Sequence, residues 1–280
     1  MTEIVDAANT REDLEYEPSL PPPYEEMDEP PPPLQVSTSS PSLYYRRFPS
    51  TMTIKASWSR SFTICDATSD EAIYLADFHP LGWSCPQPLR LRAGFVLHNG
   101  ASSNDAVLAA AGDVTAFEQR INPFCNRGHL ILPPLPKNDH TQPPQEPTVT
   151  EVMTGKIVPK KGPVFRFSVE AGRAMQRQHF EWRRLARDDS WELVRHTSSS
   201  PEGEVIATLS WTPVLLAIAL KPLNPQPVCT LQLLNSLESG ALGERCTLAV
   251  VLSALRLWHL RSRGKDTKGY MKFADSMFNK

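Results

Sequence analysis

Apolar and polar positions alternate in short runs along most of this chain, and the alternation ends in one long apolar segment near the C-terminus. Residues 51–58, 61–65 and 72–78 read as strands separated by turn-forming residues. In 89–98, Leu89, Leu91, Ala93, Phe95 and Leu97 form one apolar row, which leaves Arg90, Arg92 and His98 facing outward. Residues 107–111, 128–132, 149–158 and 164–169 continue the series, the last with Phe165, Phe167 and Val169 opposite Val164, Arg166 and Ser168. A meander follows: 176–185 with Phe180 and Trp182 on one face, 191–196 after a turn at Arg187-Asp188-Asp189, 204–211, and then 228–235. The apolar run 211–220, with Pro213 inside it and Pro222 beyond it, reads as a buried strand or strand pair.

In 243–260 the pattern changes. Between Cys246 and Leu255 every residue is apolar or carries a small hydroxyl, so a helix there needs protein on all sides. Eleven or twelve strands followed by one such helix is the order expected of a mainly β fold, a closed antiparallel barrel around a central C-terminal helix. Closure removes strand edges, and the helix fills a lumen too wide for side chains alone. The sequence places this barrel at 49–264, its helix at 241–261, and a basic C-terminal tail at 265–280. Arg256 and His259 read as the exposed end of the helix, and Trp182, Trp191 and Trp211 as core or rim aromatics. The uncharged stretch before Arg256 covers only about 10 residues, half of what a membrane span needs, so a buried core helix is the expectation.

Residues 1–48 break the pattern. They hold Pro18, Pro21 to Pro23, Pro30 to Pro33 and Pro41, few aliphatics, and 10 acidic against 3 basic residues. Such a segment cannot bury enough surface to offset its ordering entropy, so a disordered tail with polyproline II stretches is expected. The overall charge of -2 therefore divides into an acidic arm and a mildly basic body with 26 bases and 21 acids. That excess is too modest to suggest nucleic acid as a partner. A second proline-rich stretch, with Pro133, Pro134, Pro136, Pro143, Pro144 and Pro147, reads as a long exposed loop.

The five cysteines are odd in number and lack paired spacing, which argues for a reducing compartment and against a disulfide framework or a zinc site. The acidic start lacks the pattern of a signal peptide, and a cytoplasmic protein is expected, with peripheral membrane attachment as the alternative. There is no nucleophile elbow, phosphate-binding glycine loop or His-Glu-x-x-His motif, so no catalytic residue, metal or cofactor is assigned. Asp77-Phe78-His79 places an acid and an imidazole on one strand face without a nucleophile in the sequence around them.

Two features point to partners. Pro21, Pro22 and Tyr24 meet the Pro-Pro-any-Tyr spacing read by WW domains: the prolines offer a preformed polyproline II ridge and the tyrosine fills a second pocket. Pro30 to Leu34 lacks the flanking base an SH3 ligand needs, and Ser40-Pro41 is a dipeptide open to proline-directed phosphorylation. Lys156, Lys160 and Lys161 near one turn, with Arg261, Arg263, Lys265 and Lys268 after the helix, are candidates for contact with anionic lipid.

The order Gln178-His179-Phe180-Glu181-Trp182-Arg183-Arg184, Trp191-Glu192-Leu193-Val194-Arg195, a glycine turn, Glu204-Val205-Ile206-Ala207 and a hydrophobic C-terminal helix resembles the tubby C-terminal-like superfamily, particularly its LURP-one-related branch. The resemblance covers roughly 51–264 and rests on element order and the Phe-Glu-Trp-Arg strand. It implies a twelve-stranded barrel around a central helix and a mostly non-enzymatic family, in which tubby proteins bind phosphoinositides and scramblase-like proteins associate with membranes. Tubby's basic phosphoinositide-binding residues do not map onto particular positions here. With the tail motif, the expectation is an adaptor or substrate of a WW-domain protein such as a ubiquitin ligase, the alternative being a peripheral protein that binds anionic phospholipid or phosphoinositide.

Overall fold

The computed structural model describes residues 46–278 except 58, 81–85, 116–117, 119–125, 135–147, 186–188, 198–199 and 213–224. The WW-ligand residues Pro21, Pro22 and Tyr24, most of the proline-rich loop and most of the apolar run 211–220 lie outside the described residues.

Twelve strands follow one another: β1 (Thr51–Ala56), β2 (Ser61–Asp66), β3 (Ala72–His79), β4 (Gly94–His98), β5 (Val107–Asp113), β6 (Arg127–Leu132), β7 (Val149–Val158), β8 (Gly162–Ala171), β9 (Gln176–Arg184), β10 (Trp191–Thr197), β11 (Ser200–Trp211) and β12 (Gln226–Leu233). Each pairs antiparallel with its neighbour in sequence, and β12 returns to pair with β1, so the sheet closes into a barrel. Strand ends therefore gather at two rims. Odd-numbered strands finish, and even-numbered ones begin, at the same rim.

The period-two alternation of the sequence becomes an inner and an outer face. One inner row runs Phe165, Trp182, Leu193, Ala207 and Leu233 across five consecutive strands, all buried. Against these inner rows lies helix α2 (Glu244–Ser262), which follows a single turn of helix, α1 (Asn235–Glu238). From Arg245 to Leu260 every α2 residue except Trp258 is buried, and the helix packs on β4, β5, β6, β8 and β12, strands from separate parts of the ring. A helix sealed on all faces in this way occupies the interior of the barrel, as its apolar sequence requires. Ser253, one of its few hydroxyls, is satisfied there: Trp182 Nε1 donates to its Oγ at 2.9 Å, and the hydroxyl donates to Val250 O at 2.8 Å. The helix stops where Gly264 adopts φ 67, with Gly264 N donating to Arg261 O and Lys265 N to Leu260 O, each at 2.8 Å.

Four sequence readings are corrected. The folded part takes in Phe48, the last residue of the segment read as tail, because Phe48 is 5% exposed and stacks on Tyr74 with ring centroids 4.6 Å apart. The apolar row of 89–98 is not one strand: β4 starts only at Gly94, Arg90 sits in a turn at φ 55, Leu91 is 59% exposed, and His98 is buried. Residues 265–280 are not merely a basic tail, since 268–278 form helix α3 (Lys268–Phe278), which packs on β7 and β8 with Met271 fully buried. Arg256 and His259 do not mark an exposed end; both are at most 5% exposed.

Candidate functional site

The outer faces of β6 to β10 form a groove of about 730 Å³ whose lining includes Arg127, Lys156, Arg166, Ser168, His179 and His196. Its cations are placed by cross-strand pairing: Arg127 stands opposite Thr154, Thr154 opposite Arg166, and Arg166 opposite Glu181. Lys156, one step further along β7, faces the same way as Thr154. The volume suits a small ligand, and no carboxylate is among the described lining residues.

Glu181 belongs to this outer face but is 0% exposed, because two arginines cover it. Arg166 Nε donates to Oε2 at 2.6 Å and Arg183 Nε donates to Oε1 at 2.5 Å. Burial alone would raise this carboxyl, yet the hydrogen bonds and charges of Arg183 and Arg166 hold it below the usual glutamate range. The carboxylate thus fixes the two guanidinium groups in place, while the Arg166 side chain stays half exposed. Across the groove, Ser168 Oγ and His179 Nδ1 are 2.7 Å apart, and His196 Nε2 lies 3.9 Å from Glu181 Oε2.

A second charged cluster sits inside the barrel, at the rim where α2 emerges. Asp113, the last residue of β5, pairs with Arg256 of α2, and both are at most 4% exposed. Arg263 Nη1 approaches the same carboxylate at 3.6 Å and His259 Nε2 at 3.9 Å, both beyond hydrogen-bond length. Burial would raise Asp113, but the charge of Arg256 and the neighbouring His259 keep it well below the usual range. Burial dominates for His259 and lowers it, so at neutral pH its ring is uncharged and Arg256 supplies the balancing charge. Gly128 makes room for this arrangement: a Cβ there would lie 2.5 Å from Arg256 Nε. The cluster ties the helix to the barrel wall and reads as structural.

The structure brings both sequence-predicted basic groups to one rim. Lys160 and Lys161 occupy the β7–β8 turn, and Arg261, Arg263, Lys265 and Lys268 follow the emerging helix. Their charges are not equally available. Arg261 is shared between Asp189 and Asp266 and lies over the Trp211 ring at 4.9 Å, and Arg263 faces Asp113, whereas Lys156, Lys160, Lys161 and Lys268 are exposed. Leu91 and Phe273, 59% and 49% exposed, belong to the segments at this rim. Asp77 lies 3.2 Å from the imidazole of His98, and its charge also acts on His79, two residues along its own strand. Arg127, Arg166, His179 and His196 escaped sequence reasoning as a group because they come from separate strands, although Arg166 was visible opposite the apolar row of its strand.

Among the described residues there is no group of three histidine, cysteine or acidic side chains placed to hold a metal ion, and no helix long and apolar enough to cross a membrane. Comparison with protein-family models, with curated proteins and with solved structures gives no match.

Proposed function

We propose that this chain is a non-enzymatic, tubby-like barrel whose Pro21-Pro22-Pro23-Tyr24 segment recruits a WW-domain protein, acting as adaptor or substrate for a partner such as a ubiquitin ligase. The spacing of Pro21, Pro22 and Tyr24 carries this reading, since it meets the geometry of a groove that grips polyproline II and a following tyrosine. A closed twelve-stranded antiparallel barrel ending in an apolar helix supports the tubby-like assignment. The filling of its interior by α2 side chains suits a rigid carrier. Titration of WW domains against the full chain and Tyr24→Ala tests the proposal. Loss of about tenfold or more in affinity is expected, and equal affinity ends it.

Charge placement favours a second reading, peripheral binding to an anionic phospholipid surface. The groove cations and the exposed lysines at 156, 160, 161 and 268 supply bases worth about 1 kcal/mol each near such a surface. Deleting residues 1–40, which leaves Phe48 in place, abolishes WW capture under the first reading and leaves vesicle retention intact under the second.

A further inference from the structure

His179 on β9 and His196 on β10 are direct partners in the ladder, and both line the groove beside Arg127, Lys156 and Arg166. Directly opposed positions hold their Cβ atoms roughly 5 Å apart. Ser168 of β8 engages His179 Nδ1 at 2.7 Å, which leaves Nε2 as the ring's other protonation site. Four acids on the surrounding strands are already committed: Glu181 to Arg166 and Arg183, Glu170 and Glu151 to Arg177, and Glu204 to Arg195. Glu192 of β10 pairs in the ladder with Arg183, and β11 contributes Glu202, whose carbonyl oxygen accepts from Arg183 Nη1. Half-buried His129 of β6 stands opposite Val152, and Lys161 adds its charge from the β7–β8 turn.

While the groove is empty, burial and the nearby cations leave His196 with little to gain from protonation. An oxyanion between the two imidazoles reverses this, because each new positive charge then meets a negative one. We propose that His179 and His196 make this groove a proton-coupled oxyanion site, taking a lipid phosphodiester or a free sulfate, so that binding strengthens as pH falls and binding itself draws protons onto the two rings. This deepens, and rests on, the anionic-surface reading. Burial lowers His196, Glu181 opposes it, and Arg183, Arg166 and Lys161 add to the lowering, so the ring is uncharged at neutral pH without a ligand. Linkage is reciprocal: whatever factor the anion adds to proton affinity, the protons add to anion affinity.

The test is co-sedimentation of the full chain with phosphatidylglycerol vesicles, whose charge does not change in this range, at about pH 7.5 and about pH 5.5. Phosphatidylcholine vesicles serve as the uncharged control. Wild-type protein is expected to bind about tenfold more tightly at the lower pH, a shift equivalent to one pKa unit spread over two rings. In His179→Gln/His196→Gln the ratio between the two pH values falls to about one. In His179→Lys/His196→Lys tight binding persists at the higher pH, which separates loss of the gate from loss of the fold. Free sulfate competes with vesicles if the groove takes the soluble ion, and leaves retention unchanged if only a headgroup fits. Wild-type binding with no pH dependence, or a Gln variant that keeps it, overturns the proton coupling alone. Failure of every form, wild type and Lys variant included, to bind anionic vesicles at either pH overturns the anionic-surface reading itself.

Discussion

Replacing Asp113 by asparagine leaves the Arg256 guanidinium at 3% exposure with its countercharge removed. Its described neighbours include the Arg127 carbonyl oxygen at 3.4 Å and the repulsive charge of Arg263, whose own ion pair with Asp113 is also lost. Breaking a buried pair by removing one partner costs about 3–5 kcal/mol, because a charge stays desolvated without compensation. At roughly 2–4 °C per kcal/mol for a chain of this size, the melting temperature falls on the order of 10 °C. Urea and thermal unfolding followed by circular dichroism at neutral pH measure both. Asp113→Asn/Arg256→Met recovers part of the loss, since an apolar side chain of similar length removes the orphaned charge. The pH dependence has a definite sign. The native carboxyl lies below its unfolded value, so its stabilisation is complete above about pH 4 and fades as pH falls towards the native value; Asp113→Asn flattens that acid limb. A single variant within about 1 kcal/mol of wild type, or a double variant no better than the single, would refute the burial of this pair.

Ser253→Ala deprives the buried Trp182 indole of its acceptor and costs about 1–3 kcal/mol in urea unfolding; a change below about 0.5 kcal/mol contradicts the contact between α2 and β9. Gly128→Ala drives a Cβ to 2.5 Å from Arg256 Nε and costs about 1–3 kcal/mol, most of it absent in an Arg256→Ala background, where the clashing atom is gone. Glu181→Gln lowers stability at neutral pH, and because the native carboxyl is held below its unfolded value, the variant also loses the decline that wild type shows as pH drops below about 4.

The strands were legible where one face alone is apolar. Phe165, Phe167 and Val169 on β8, and Phe180 and Trp182 on β9, alternate cleanly with polar positions, and all five are buried. The helix was legible because a segment apolar all round has only the interior to occupy. The row from Leu89 to Leu97 misled because Leu89 and Ala93 are indeed buried, but through a turn rather than a strand, and periodicity does not register that Leu91 swings out. Helix α3 carried a faint signal in the spacing of Tyr270 and Met271 with Met277 and Phe278, masked by its lysines. Arg256 and His259 were misread for a physical reason. A charge near a helix end normally marks the way out to water, and only a countercharge delivered by a distant strand, Asp113 on β5, makes its burial affordable. The groove is likewise a product of register: nothing local in the sequence says that His179 faces His196.

Hydrogen–deuterium exchange of the α2 backbone tests the architecture most directly. A helix sealed inside a closed sheet exchanges only when the barrel opens, so amides from Leu248 to Leu255 are expected to be among the slowest in the chain, with protection matching the free energy of global unfolding measured by urea. Exchange of these amides within minutes under native conditions, ahead of those in β8 and β9, would contradict a helix enclosed by the barrel.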